Sequence, residues 1–165
     1  MDIEINPSIS FLDEFKCQAA VLVPVLKALR AQLGEERANS LILGALREWS
    51  RERIHRQGSQ IPGSPLEKWE ALMASSGPRI GNDADMLLVR DEPNIREWHI
   101  TDCRYADFFL QIGEPELGAV LGCEGDYHAT EVGWPEVTFT RTQTIMKGAP
   151  YCDCLWRIKS ELVPE

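Results

Sequence analysis

The first half of the chain carries a helical pattern of apolar residues. Leucine, phenylalanine and alanine recur at steps of three and four residues from Ser8 to Leu33, and again from Glu35 to Gln57. This spacing predicts two helices that each bury one face, and Pro24 should bend or split the first. After a loop rich in Gly, Ser and Pro, Ser64 and Glu67 have the spacing of a capping box, which predicts a third helix.

The second half changes to patterns typical of strands. The predicted strands are Ala84–Val89, Ile95–Thr101, Glu136–Met146 and Cys152–Lys159, and the predicted helices between the two hairpins are Arg104–Ile112 and Glu114–Tyr127. Helices followed by hairpin-linked strands indicate an α+β fold, with N-terminal helices packed against a mostly antiparallel sheet formed by the C-terminal half. We expect one domain over residues 1–165, with a helical part at 1–78 and the functional site in 79–165.

The alternation in the strand predicted from Glu136 places a charged residue among apolar ones. Val137, Phe139, Arg141, Gln143 and Ile145 share one face, and the threonines and Met146 share the other, which should face solvent. A buried guanidinium is costly unless it is paired. We therefore predict that Arg141 is buried and bound to a carboxylate, with Asp126, Asp153 and Glu116 as candidates.

Charge and targeting signals narrow the class of protein. Lys and Arg number 17 and Asp and Glu 26, which gives a formal net charge of -9. Such a chain should be repelled by phosphate backbones and anionic lipid, so we expect no nucleic-acid or membrane partner. The acidic N-terminus does not resemble a secretory signal, and a cytoplasmic location with reduced cysteines follows.

Four of the five cysteines lie in the last third of the chain. Cys103, Cys123, Cys152 and Cys154, the thiol cluster, are interspersed with Asp126, His128 and Asp153. The first interpretation is a structural zinc site, but the C-x₂-C spacing typical of such sites is missing, and we predict no metal or other cofactor. The second is a thiol nucleophile activated by His128 or by Arg141, with Cys123 as first choice because Asp126 and His128 follow it closely.

The same region resembles a known enzyme family. The motifs are a Cys at the head of a helix (Cys103), a G-x-P-E-L-G stretch (Gly113–Gly118), a Cys followed by Asp (Cys123, Asp126), an F-x-R strand (Phe139, Arg141) and a G-x-x-x-C-D ending (Gly148, Cys152, Asp153). Together they resemble the L-2-amino-thiazoline-4-carboxylate hydrolases over Cys103 to Arg157. Cys154 departs from the family ending, which tends to read C-D-F.

The resemblance implies hydrolysis of a carbon–nitrogen bond in a cyclic amidine of thiazoline type, carried by a small carboxylate derived from an amino acid. That reaction needs a nucleophile, a proton donor and a cation for the carboxylate. Cys123, Asp126, His128 and Cys152 are the predicted catalytic residues, and Arg141, Cys103 and Asp153 the predicted substrate-binding residues. Either a thiol attacks, or Asp126 and His128 activate water, and both routes stay open.

A second class of function is a ligand-sensing domain without catalysis. A buried arginine with nearby thiols could simply bind an anionic metabolite, and a shared fold does not settle function. In both interpretations the partner is a small molecule, and a homodimer stays open.

Overall fold

Three long helices form the N-terminal half of the computed structural model, which describes residues 9–159. They are α1 (Phe11–Leu33), α2 (Glu35–Gln60) and α3 (Pro65–Ile80). The Ser10 side chain caps α1, and Ser64 and Glu67 form the predicted capping box of α3. Pro24 lies inside α1 without splitting it. No helix within residues 9–159 is long and apolar enough to cross a membrane.

The C-terminal half forms a four-stranded antiparallel sheet, so the predicted α+β fold is confirmed. The remaining elements are β1 (Ala84–Glu92), β2 (Ile95–Cys103), α4 (Arg104–Gln111), α5 (Pro115–Gly118), a π turn (Ala119–Cys123), α6 (Gly125–Val132), β3 (Val137–Thr140), a 3₁₀ turn (Ile145–Lys147) and β4 (Cys152–Ile158). The strand order is β1-β2-β4-β3. Trp98 of β2 pairs with Cys154 of β4, and Phe139 of β3 pairs with Trp156.

β3 ends at Thr140, six residues earlier than the threonine pattern predicts. The Asp153 carboxylate accepts the backbone N–H groups of Thr142 at 2.9 Å and Gln143 at 2.8 Å, so these donors are withdrawn from strand pairing. The Thr144 side chain then accepts the N–H of Met146 and starts the 3₁₀ turn. Thr144 and Met146 are consequently buried, and the expectation that they face solvent is wrong.

The single helix predicted for Glu114–Tyr127 is broken into α5, the π turn and the start of α6. Glu114 is buried and forms a two-pronged ion pair with Arg30 of α1, at 2.7 and 2.9 Å. Gly118 allows α5 to lie against α4, because a Cβ there would come within 2.5 Å of the Phe109 ring. These contacts fix the segment that carries Cys123 and Asp126.

Two apolar clusters make up the core. One joins α1, α2, α4, α5 and the π turn around Phe109, and the other lies under the sheet between Trp69 of α3, Ala129 of α6 and Trp156 of β4. Strand β1 is an edge strand of the sheet. Its run Met86–Val89 is exposed and flanked by Asp85 and Arg90.

Candidate functional site

A cavity of about 590 Å³ lies between the helices and the inner face of the sheet. Residues of α1, α2, α3, α6 and the π turn line it on the helical side, and Met86, Trp98, Cys154 and Trp156 line it on the sheet side. Cavities of about 300–1,000 Å³ are typical of sites for drug-sized ligands. The wall is mostly apolar, so the few charged groups that reach it decide its chemistry.

Arg141 and Asp126 form an ion pair in this wall, as predicted for Arg141. Nη1 of Arg141 donates to Asp126 Oδ2 at 2.9 Å, and Nη2 donates to the Cys123 carbonyl oxygen at 2.7 Å. The arginine side chain is 7% exposed, and its guanidinium lies 5.3 Å from the centroid of the Tyr127 ring and 5.5 Å from that of Phe139. Arg141 is therefore held by protein groups on several sides.

Asp126 keeps 29% of its side chain exposed and lines the cavity, although dense protein surrounds it. Burial raises the pKa of its carboxyl group above the ordinary value, and the positive charge and hydrogen bond of Arg141 oppose this shift. A carboxylate of raised pKa that faces a cavity is a candidate general base. The hydrogen bond from Arg141 goes to Oδ2, which leaves Oδ1 to accept a proton.

All four residues of the thiol cluster line the cavity, and Cys17 lies apart and exposed on α1. The Cys152 thiol donates to Thr144 Oγ1 at 3.4 Å, and Cys123 Sγ lies 3.9 Å from the same oxygen. All five cysteines are free. The sequence thus located the cluster correctly.

Burial disfavours the thiolate form of three of these four thiols. Burial raises the pKa of Cys103 to about 11 and that of Cys154 to about 12. Burial also raises the pKa of Cys123, and Arg141 offsets only part of this effect. Loss of hydration thus outweighs the nearby cation, which argues against the expectation that Arg141 makes Cys123 a thiolate.

His128 is not among the residues that line the cavity, and neither of its ring nitrogens has a hydrogen-bond partner among residues 9–159. It is buried on α6, with Nδ1 3.5 Å from Glu131 Oε1 one turn further along the same helix. Asp126 and Ala129 are the α6 side chains that line the cavity beside it. The predicted partnership of His128 with Cys123 is therefore not formed.

Asp153 also differs from its expected role. It alternates with Cys152 and Cys154 along β4 and lies on the opposite face of the sheet from the cavity. Burial disfavours its charge, but hydrogen bonds from Thr142 and Gln143 outweigh this and lower the pKa of its carboxyl group. Its carboxylate holds the chain that follows β3, and so it supports Arg141 only indirectly.

A second charged group at the cavity was not predicted from the sequence. Glu14 of α1 is buried and ion-paired with Arg53 of α2 and Arg79 of α3, and these three residues are called the acid–arginine cluster below. Both arginines line the cavity. Arg53 lies in the basic segment 51–58 near the end of α2. The available signal was its position four residues after Trp49, in phase with the apolar stripe of α2.

The chain matches the family of L-2-amino-thiazoline-4-carboxylic acid hydrolases over residues 14–156. It belongs to that family. The resemblance noted in the last third thus extends over most of the chain, including the three N-terminal helices. In this family member the motif residues separate into two groups: Cys103, Cys123, Asp126, Arg141 and Cys152 line the cavity, whereas Glu114 and Asp153 hold segments of the fold.

Comparison with solved structures gives several matches. One is the phenol-responsive sensory domain of the transcription activator PoxR with phenol, at 16% sequence identity and a TM-score of 0.46, covering 85% of this chain and 74% of that chain. This similarity is too low to support an argument about function. A search of curated proteins gave no significant match. Within residues 9–159, no group of three or more His, Cys, Asp or Glu side chains is placed to hold a metal ion.

Proposed function

We propose that this family member hydrolyses a carbon–nitrogen bond in the ring of a small cyclic amidine that carries a carboxylate, and that Asp126 is its general base. The observation that supports the proposal is the Asp126–Arg141 pair at the wall of the cavity. The pair combines a carboxylate of raised pKa with an arginine that fixes its orientation.

In this mechanism Asp126 takes a proton from a water molecule as the water attacks the amidine carbon of the ring. The protonated Asp126 gives this proton to the ring nitrogen, which completes a neutral tetrahedral intermediate with a new hydroxyl group. Asp126 then takes the proton of that hydroxyl and delivers it to the same nitrogen as the carbon–nitrogen bond breaks and the hydroxyl becomes a carbonyl. The atoms of one water are thereby added and the ring opens. The raised pKa of Asp126 helps both steps, because the group must accept and then release a proton near neutral pH.

Activated water is favoured over a thiol nucleophile by the electrostatics of the wall. A thiol attacks as its thiolate, and burial raises the pKa values of Cys103, Cys123 and Cys154. In this proposal the thiol cluster forms part of the wall around the substrate ring. The indole side chains of Trp69 and Trp156, whose centroids are 6.3 Å apart, supply a flat apolar surface nearby.

A ligand-sensing domain without catalysis is the second candidate, and the mostly apolar wall favours it. The two functions are separated by measuring binding and turnover on the same samples. Wild-type protein is incubated with 2-amino-thiazoline-4-carboxylate and related cyclic amidines, the ring-opened product is followed by mass spectrometry, and binding is measured by calorimetry.

For the hydrolase, Asp126→Asn should keep binding and lower kcat by about 10²–10⁴-fold, the usual contribution of a general base. His128→Ala is the matched control on the same helix, and it should retain turnover because His128 lies outside the cavity wall. Binding without turnover in the wild type would favour the sensor. Equal kcat for Asp126→Asn and the wild type would exclude Asp126 as the base.

A further inference from the structure

The acid–arginine cluster brings more positive than negative charge to the cavity. Nη2 of Arg79 donates to Glu14 Oε2, and Nη1 of Arg53 donates to Glu14 Oε1 at 3.3 Å. Two guanidinium groups thus share one carboxylate. The guanidinium of Arg79 lies 3.9 Å from the centroid of the Phe11 ring, and that of Arg53 lies 5.0 Å from the centroid of the Trp49 ring. These stacking contacts hold both cations in place.

Two hydrogen-bond donors beside this charge have no partner. Arg53 Nε and the Tyr105 hydroxyl are both buried, and neither has a hydrogen-bond partner among residues 9–159. Arg53, Arg79 and Tyr105 all line the cavity. Burial and the charge of the nearby Asp83 carboxylate raise the pKa of Tyr105, so its hydroxyl remains a donor. Buried donors are nearly always satisfied in native proteins, so two unpaired donors at the cavity wall indicate a missing acceptor.

Arg141 contrasts with the cluster. Its charge is balanced by one carboxylate, Asp126, and its second terminal nitrogen donates to the Cys123 carbonyl. An anionic ligand therefore meets uncompensated positive charge at Arg53 and Arg79 rather than at Arg141. Burial and the like charge of Arg79 lower the pKa of Arg53, and an anion beside it would oppose both effects.

We propose that Arg53, Arg79 and Tyr105 bind the carboxylate of the ligand that occupies the cavity. This proposal rests on the proposed function, which supplies the assumption that the ligand carries a carboxylate. In it, Arg53, Arg79 and Tyr105 take the carboxylate-binding role that the sequence assigned to Arg141. Guanidinium groups suit this role because they bind a carboxylate through parallel hydrogen bonds. Asp126 then stays free to act on the ring of the same ligand.

The test uses L-thiazolidine-4-carboxylate, whose saturated ring has no C=N bond for water to attack, and its neutral carboxamide. Calorimetry on the full chain should show that the wild type prefers the carboxylate. Arg53→Met should weaken carboxylate binding by about 10–100-fold, the range for hydrogen bonds to charged groups, and leave carboxamide binding unchanged. Tyr105→Phe, which removes only the hydroxyl, should weaken carboxylate binding by about threefold to tenfold.

Glu14→Gln tests whether the affinity for the carboxylate rises when negative charge is removed from the cluster. It removes the negative charge that the two arginines share, so it should strengthen carboxylate binding, whereas a purely structural cluster would lose only stability. Arg51→Met is the matched control, because Arg51 lies on the same helix but pairs with Glu131 at the surface, and it should bind as the wild type does.

The proposal would be overturned if neither Arg53→Met nor Tyr105→Phe changed the affinity for the carboxylate. It would also be overturned if Arg141→Met abolished the preference for the carboxylate over the carboxamide while Arg53→Met kept it. A wild type that does not prefer the carboxylate would overturn it as well. These readouts do not depend on turnover. If the wild type binds the carboxylate through Arg53 but opens no ring, the proposed hydrolase fails and this site stands.

Discussion

Removal of the Arg141 guanidinium should leave a buried carboxylate without its counter-charge. In Arg141→Met the methionine fills much of the space of the arginine stem, but Asp126 loses the donor 2.9 Å from Oδ2. Breaking a buried pair by removing one partner costs about 3–5 kcal/mol of unfolding free energy. Because 29% of the Asp126 side chain is exposed, we expect the lower end, about 3 kcal/mol at pH 8.

The cost should depend on pH in a defined direction. Burial already raises the pKa of Asp126 and Arg141 opposes that shift, so the variant should have a still higher pKa. When folding raises the pKa of a carboxyl group, the group stabilises the folded protein below its pKa in the unfolded chain, which is about 3.9 for Asp. This stabilisation is lost as the pH rises through the pKa in the folded protein. The destabilisation in Arg141→Met should therefore be smallest near pH 4 and largest above the raised pKa.

Urea unfolding followed by tryptophan fluorescence at pH 4 to 8 measures this dependence. Asp126→Asn combined with Arg141→Met should recover most of the loss at pH 8, since the unpaired charge is gone. Arg51→Met is the control for an exposed pair and should cost about 0–1 kcal/mol. A cost for Arg141→Met that is equal at both pH values, and that Asp126→Asn does not relieve, would refute the reasoning.

Three further predictions follow from the burial pattern. Iodoacetamide at pH 7.5 should label exposed Cys17 before Cys103, Cys123 and Cys154, because burial raises the pKa values of these three thiols. Peptide mass spectrometry that shows one of the three reacting faster than Cys17 would contradict this. Gly58→Ala should lower the unfolding free energy, measured by urea unfolding, by about 1–3 kcal/mol, because the new Cβ would overlap a valine side chain. Gly44→Ala on the same helix has nothing within 4 Å of its new Cβ, and it should raise the unfolding free energy by about 0.5–1 kcal/mol. The apolar run of edge strand β1 carries opposite charges at its two ends, so antiparallel pairing with a second copy of the chain would align opposite charges. We therefore predict a homodimer that the substitution Leu87→Lys dissociates. A monomeric wild type in analytical ultracentrifugation would exclude this prediction.

Local signals were sufficient for most of the fold. Capping residues and the spacing of apolar positions located the three long helices within a few residues, and the change to a strand pattern located β1 and β2. The alternation after Glu136 also identified Arg141 as buried. It failed beyond Thr140, because a sequence pattern does not show that the Asp153 carboxylate takes the backbone donors that a longer strand would need.

Closeness in sequence misled the prediction for His128. Each residue of an α-helix turns by about 100°, so His128 is rotated by about 200° from Asp126 and faces away from the cavity that Asp126 lines. Ala129 is rotated by about 300° and returns to the cavity side. Neighbouring side chains on a helix are thus poor partners for chemistry, and a spacing of three or four residues would have been the better criterion.

The acid–arginine cluster marks the limit of what sequence can supply. Glu14 stands beside Phe15 in the apolar stripe of α1, and a buried carboxylate there requires a cation. Its partners Arg53 and Arg79 lie 39 and 65 residues further along the chain, among 17 Lys and Arg residues that could serve equally well on charge alone. Only the packing of α1 against α2 and α3 selects these two. The same packing gives the cavity its excess positive charge, so the arginines proposed to bind the ligand carboxylate are brought together only by tertiary structure. The catalytic candidate Asp126, by contrast, lies within a motif that is visible in the sequence.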